Sequence, residues 1–267
     1  MIEITSTSNQ RIKDVAKIIK DNRKRQEEGV VVVDGKREIE EALRSGWLIE
    51  EFFYCSDFFK DGELADFFID KSNECYSLSK KVFEKISYKK NPDGYLAIFK
   101  EKFLSLEDFK LKENPLILVL ESVEKPGNLG AVIRTAYASG VDLIILNDQK
   151  TDIYSPNVIR SSTGFIFSMP LVVSSIDDTF DYLKNNFVNI YVTTLKGSKS
   201  HFDCDFKKSS AIIFGTESDG ISDKWFEKDI DKVRIPMIKD VDSLNISVSA
   251  GIIIYEAMRQ RDFFKNR

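Results

Sequence analysis

Three short segments in the second half of the chain carry residue types that could orient a polar substrate or hold an anion. They are Asn128-x-Gly130-x-x-x-Arg134, then Gly215-Thr216-Glu217-Ser218-Asp219-Gly220, then Ile235-Pro236-Met237 followed by Ser243-Leu244-Asn245-x-Ser247. Amides, hydroxyls and carboxylates orient polar substrates by hydrogen bonds, a guanidinium forks onto an anion, and glycines let backbone approach a ligand closely. Arg134, protonated at any working pH, suits holding a phosphate better than removing a proton. Each segment alone also has a purely structural account. Gly215 and Gly220 can serve tight turns, Pro236 can end a strand, and Ser243 and Asn245 can cap a following helix.

What the chain lacks narrows the chemistry further. It has one histidine, His201, and three cysteines, Cys55, Cys75 and Cys204, with no Cys-x-x-Cys, so neither a disulfide framework nor a metal site is expected. His201, in a Lys-Gly-Ser-Lys-Ser-His-Phe-Asp stretch, reads as an exposed loop residue without a catalytic role. Gly127-Asn-Leu-Gly130 is not Gly-x-Gly-x-x-Gly, and no Gly-Lys-Ser/Thr loop occurs, which sets a nicotinamide or nucleoside-triphosphate enzyme aside.

The elements that must position these segments follow from periodicity. Leu116 to Leu120 is an apolar run suited to a central parallel strand, and Leu129, Val132, Ile133 and Ala136 mark the helix after it. Strand, glycine-bearing loop and helix together offer backbone N–H groups to an anion. Further strands are expected at 143–146, 171–173, 190–194, 211–214 and 233–235, with a last helix from about Asn245 to Phe264. That helix carries Ile246, Ala250, Ile253 and Ala257 on one stripe and Ile252, Tyr255 and Met258 beyond it, wider than one buried face needs; the excess can meet a second subunit.

With 267 residues, 42% of them hydrophobic and 31% charged, the chain is long enough for two ordinary globular domains. No apolar run reaches the roughly 18 residues of a membrane span and no leader pattern opens it, so a cytoplasmic protein without membrane partners is expected. In the first half, strands near 30–33, 48–55, 75–78 and 95–99 alternate with helices near 36–45, 63–71 and 79–86, which favours a largely parallel α/β domain. Residues 8–25 read as one amphipathic helix, with Arg11, Lys13, Lys17, Lys20, Arg23, Lys24 and Arg25 against Asp14 and Asp21. This local excess of five positive charges, in a chain of net charge −4, is either a solvated face or a patch for nucleic-acid phosphates. The domain boundaries expected are 1–100, a linker at 101–114, and 115–267.

Together, in order and spacing, the three segments resemble the signature motifs of the SpoU/TrmH branch of the SPOUT RNA methyltransferases over residues 115–265. The first half resembles the substrate-binding domain of that family's ribosomal-RNA members, through Ile4-Thr-Ser-Thr-Ser-Asn9 leading into Ile12-Lys13, Asp34-Gly35-Lys-Arg37 and Glu41-Ala-Leu43. It departs at Asp34, where the family usually has Glu, and at Ser218, where a second glycine is common. The resemblance implies an α/β trefoil-knot domain whose C-terminal segment threads a loop, preceded by a smaller α/β RNA-binding domain. It also implies S-adenosylmethionine as methyl donor, held by Thr194, Leu195, Gly197, Gly215, Thr216, Ile235, Met237 and Leu244. Arg134 becomes the catalytic residue, with Asn128, Glu217, Ser243 and Asn245 around it, and Arg11, Arg23, Arg25 and Arg37 are candidate RNA contacts. A homodimer acting on ribose 2′-hydroxyls of ribosomal RNA is expected. The alternatives are a transfer-RNA substrate and a non-catalytic RNA-binding protein that keeps the fold.

Overall fold

The structure, a computed structural model, describes residues 2–59, 62–197, 199–215, 220–228, 230–239 and 243–262. It divides into two compact units, one comprising the chain up to Lys102 together with Asp152–Ser168, the other Phe103–Thr151 together with the chain from Met169 onward. The division corrects the boundaries expected from sequence at two places. Segment 101–114 is not a bare linker: Leu106 is buried in the second unit's core, with Leu104, Phe109 and Leu111 packed beside it. Segment 152–168 belongs to the first unit, because its aromatic and polar groups find their partners there. Trp47 packs edge-on to Phe167 and Tyr154, and its indole N–H donates to the Phe167 carbonyl at 3.2 Å.

The first unit contains β1 (Ile2–Ile4), α1 (Gln10–Lys20), α2 (Asn22–Glu28), β2 (Val30–Asp34), α3 (Lys36–Arg44), β3 (Ile49–Tyr54), α4 (Glu63–Asp70), β4 (Ser72–Leu78), α5 (Lys80–Ile86) and β5 (Tyr95–Lys100). The strand order is β1-β4-β3-β5-β2. The sheet is mixed, since β5 runs antiparallel to both β3 and β2 while β1, β4 and β3 are parallel. The helix expected over 8–25 is broken at Asp21, whose backbone is extended (φ −113°, ψ 110°) and whose carboxylate accepts from the N–H groups of Arg23 and Lys24. An aspartate that caps a new helix start satisfies donors that a continuous helix would have paired internally. Ile12, Val15 and Ile18 of α1 and Val82, Phe83 and Ile86 of α5 pack over Phe53, Leu96 and Ile98 of the sheet, all almost fully buried. Each such side chain contributes roughly 1.5–3 kcal/mol.

The second unit contains β6 (Leu116–Glu121), α6 (Pro126–Ser139) and β7 (Leu143–Asn147). After the excursion that carries α7 (Pro156–Ser161) in the first unit come β8 (Leu171–Ser174), α8 (Ile176–Asn185), β9 (Asn189–Thr193), β10 (Lys199–Ser200), β11 (Ser210–Phe214), α9 (Asp223–Phe226), β12 (Asp231–Arg234) and α10 (Ile246–Gln260). Seven strands in the order β10-β12-β9-β11-β6-β7-β8 pair in parallel throughout. Strands β6, β7 and β11 are buried along their whole length, as a sheet covered on both faces requires. From β6 the chain runs outward to β7 and β8 on one side, then returns to build β9, β11 and β12 on the other. In open parallel sheets, ligands bind outside the carboxyl ends of the strands where the order reverses. Arg261, just past α10, donates to the carbonyls of Asn114, Phe206 and Lys208 at 2.6–2.8 Å and ties the chain entering β6 to the segment before β11.

Candidate active site

The carboxyl ends of β9, β11 and β12 open onto one cavity of about 590 Å³, within the roughly 300–1,000 Å³ of small-molecule sites. Six of the donor-holding residues expected from sequence line it, namely Thr194, Leu195, Gly215, Ile235, Met237 and Leu244, and so does Ser243. Gly197 does not line it but shapes its wall. A Cβ there would stand 2.6 Å from the Val233 carbonyl carbon, and the turn is fixed by Thr194 N–H donating to the Val233 carbonyl and Gly197 N–H to the Thr194 carbonyl. Gly215 is required for the same reason, since its Cβ would fall 2.0 Å from the Gly220 carbonyl oxygen. Thr216 and Glu217 lie outside the described residues.

Beside the cavity the first and third motifs meet. Asn245 caps α10, its Oδ1 accepting from Ser247 N–H and Oγ–H, which frees its amide Nδ2–H to donate to Asn128 Oδ1 at 3.2 Å. Asn128 sits in the first turn of α6, which packs along α10. Arg134, further along α6, is exposed, and its side chain has no hydrogen bond or ion pair among the described residues. It is not among the cavity-lining residues.

Several supporting residues carried no signal in the sequence. Thr151, buried, donates its hydroxyl to the carbonyls of Val123 and Glu124 at 2.7 and 2.6 Å, holding the loop that leads into Asn128. Glu121 ends β6 and accepts from Ser222 N–H at 3.2 Å, linking the first motif to the chain after the second. Asp223 and Phe226 of α9 and Lys196 also line the cavity. A periodicity reading has no access to such long-range pairings. His201 is 3% exposed, not an exposed loop residue, because its short 3-10 turn packs on α10.

The four arginines proposed for RNA fare differently. Arg23 and Arg37 are exposed. Arg11 forks onto the Glu51 carboxylate. Arg25 is no surface contact: its side chain is 7% exposed, and its guanidinium donates to the carbonyls of Ile18 and Ile19 at 2.6 and 2.9 Å and to Asp152 Oδ2 at 2.6 Å. It secures the C-terminal end of α1, where unpaired carbonyls attract a cation.

Known proteins resemble both halves of the chain. Residues 9–97 match the MRM3-like substrate binding domain. A 23S rRNA (guanosine(2553)-2′-O)-methyltransferase, RlmP, of Bacillus subtilis is 29% identical, over 96% of this chain and 98% of its own. An uncharacterised tRNA/rRNA methyltransferase of Synechocystis is 31% identical, over 97% of this chain and 94% of its own. The crystal structure of an AdoMet-bound rRNA methyltransferase from Sinorhizobium meliloti superposes with a TM-score of 0.88 at 28% identity, over 96% of this chain and 97% of its own. Residues 115–255, which hold the cavity, the Asn128–Asn245 pair and Arg134, match the SpoU rRNA Methylase family, and the chain belongs to it.

Proposed function

We propose that the protein transfers a methyl group from S-adenosylmethionine to a ribose 2′-hydroxyl of ribosomal RNA, acting in the cytoplasm as a homodimer. The observation that carries this reading is the convergence of the β9, β11 and β12 loops on one cavity beside the Asn128–Asn245 hydrogen bond. The backbone-lined, partly apolar cavity fits a nucleoside, with Gly197 and Gly215 keeping the walls close enough for main-chain groups to reach it. When bound, the donor supplies an electrophilic sulfonium methyl.

The chain's own residues then have two tasks: aligning the attacking oxygen with that methyl and giving its proton somewhere to go. Arg134 clamps the target nucleotide's phosphate and stays protonated, since a guanidinium is too weak an acid to act as a simple base. The proton passes to that phosphate or to a water. Asn128 and Asn245, tied to each other, Ser243 at the cavity and Glu217 in the second motif orient the ribose and the clamp. Tyr137 on α6 and Val248 and Tyr255 on α10 are large apolar residues left 40–50% exposed on two helices that pack together, which favours a second subunit covering them. The family's threaded C-terminal segment is expected to include β12 and α10.

The similarity along nearly the whole chain to proteins named as rRNA methyltransferases favours ribosomal over transfer RNA. Incubation with methyl-labelled donor and ribosomal RNA from cells lacking this protein, followed by nuclease digestion, should place the label in one 2′-O-methyl nucleotide. Arg134→Ala should abolish transfer while calorimetry shows donor affinity within about twofold of native. Donor binding without label in any ribose would refute the reading.

A further inference from the structure

The basic segment at the start of the chain contains seven cations, and the structure sorts them by whether they are already engaged. Arg11 is spent on Glu51, Arg25 on Asp152 and two helix carbonyls, and Lys24 on Glu28 at 3.5 Å. Neither of the segment's two carboxylates forms an ion pair among the described residues. Asp14 accepts from the Gln10 side-chain amide at 3.0 Å, and Asp21 accepts from backbone N–H groups at the start of α2. What remains is Lys13, Lys17, Lys20 and Arg23, all exposed and without an ion-pair partner among the described residues.

Their placement is ordered. Lys13, Lys17 and Lys20 stand at i, i+4 and i+7 on α1, one stripe opposite the buried stripe of Ile12, Val15 and Ile18. At about 1.5 Å of rise per residue the stripe runs about 10 Å, and Arg23 continues the positive surface onto α2. Lysine ammonium groups are compact point charges on flexible stems. They suit a row of phosphates, which positions a nucleic acid without reading its sequence. A chain whose overall charge is −4 holds this row on one helix face with no ion-pair partner among the described residues.

We infer that Lys13, Lys17, Lys20 and Arg23 form the surface on which the first unit grips the sugar-phosphate backbone of a helical RNA segment. The inference rests on the RNA-substrate reading above and names where that substrate is held outside the methyl-transfer site. Arg11 and Arg25 take no part.

The test uses the full chain and a fluorescein-labelled RNA stem-loop, with affinity measured by anisotropy across a salt series. The variant is K13Q/K17Q/K20Q/R23Q, glutamine being close to lysine in helix propensity, so that α1 is retained. Each phosphate that a cation neutralises adds about 0.9 to the slope of log affinity against log salt, so the slope should flatten by about three to four in this variant. Raising salt fourfold should then cost the native chain about a hundredfold more affinity than the variant. A K13R/K17R/K20R variant should keep the native slope. Melting followed by circular dichroism should be native in both variants, which separates this effect from misfolding of the first unit, and donor affinity by calorimetry should be native as well. If the native chain binds the stem-loop and the glutamine variant keeps its slope, the stripe does not touch the RNA and this inference fails. If the native chain binds donor but no RNA at any salt, the substrate reading itself fails and the inference with it.

Discussion

The ion pair between Arg25 and Asp152 gives the sharpest test of how the first unit is held together. Arg25→Met keeps the aliphatic stem, which packs as a hydrophobe, and removes the guanidinium. Three acceptors are then left without their donor: the carbonyls of Ile18 and Ile19 and the carboxylate of Asp152, which is 15% exposed. Hydrogen bonds involving a charged group are worth about 1.5–3 kcal/mol each, and stripping one partner from a buried pair costs about 3–5 kcal/mol. Part of this is recovered because Asp152 and the helix end can draw in water, so the low end applies, about 3 kcal/mol. At about 2–4 °C per kcal/mol, melting followed by circular dichroism should drop by about 10 °C. A cycle with Asp152→Asn should show coupling of about 1–2 kcal/mol. The RNA salt slope of Arg25→Met should be native. A variant melting within about 1 °C of the native chain but with its slope lowered by about one would refute the structural role and return Arg25 to the RNA-binding surface.

Three further outcomes are expected. Thr151→Val, which keeps shape but removes the hydroxyl that holds the Val123–Glu124 loop, should lower kcat about tenfold with donor Kd unchanged, and Thr151→Ser should restore it; equal losses in both variants would make the effect one of packing. Gly215→Ala should weaken donor binding at least about tenfold by calorimetry, because the added Cβ cannot coexist with the Gly220 carbonyl 2.0 Å away; native affinity would show that the loop relaxes freely. The Arg259 hydrogen bonds hold the Glu256 carboxyl below its ordinary 4.5, so the stability it adds is present above that pH and is lost as acid titrates it through the lowered value. Glu256→Gln should therefore melt below native at pH 7 and converge with it on acidification; a difference independent of pH would assign the effect to packing.

Much of this molecule is legible in its residues, and what is not has identifiable causes. Apolar runs such as Leu116–Leu120 and Leu143–Leu146 announce buried strands because a sheet covered on both faces leaves no polar side to alternate with. The cavity loops are legible through the joint order and spacing of the three segments, which resemble a known family; each segment alone fits a turn, a strand end or a helix cap equally well. The break at Asp21 is hidden because no glycine or proline marks it and the run of basic residues continues past it, and only the carboxylate's choice of backbone partners reveals two helices. The direction of β5 depends on where the loop over 87–94 delivers the chain, which no local pattern encodes. Arg25 looks like its basic neighbours until Asp152, far along the chain, is brought to it. His201 lies in polar sequence but under a helix that arrives 45 residues later, at Ile246. Local chemistry writes the elements; long-range pairing decides which charges are free.

The excursion of residues 152–168 has a practical consequence for anyone cutting the gene. Val158, Ile159, Ile166 and Phe167 are at most 6% exposed, and Phe167 finds cover against Trp47 and Phe99. A fragment beginning after Lys102 would display these side chains bare, and one ending there would lack the strap that shields Trp47. Neither piece is a natural expression unit, so loss of solubility in a truncated clone would reflect the braided path of the polypeptide and not the need for an activity.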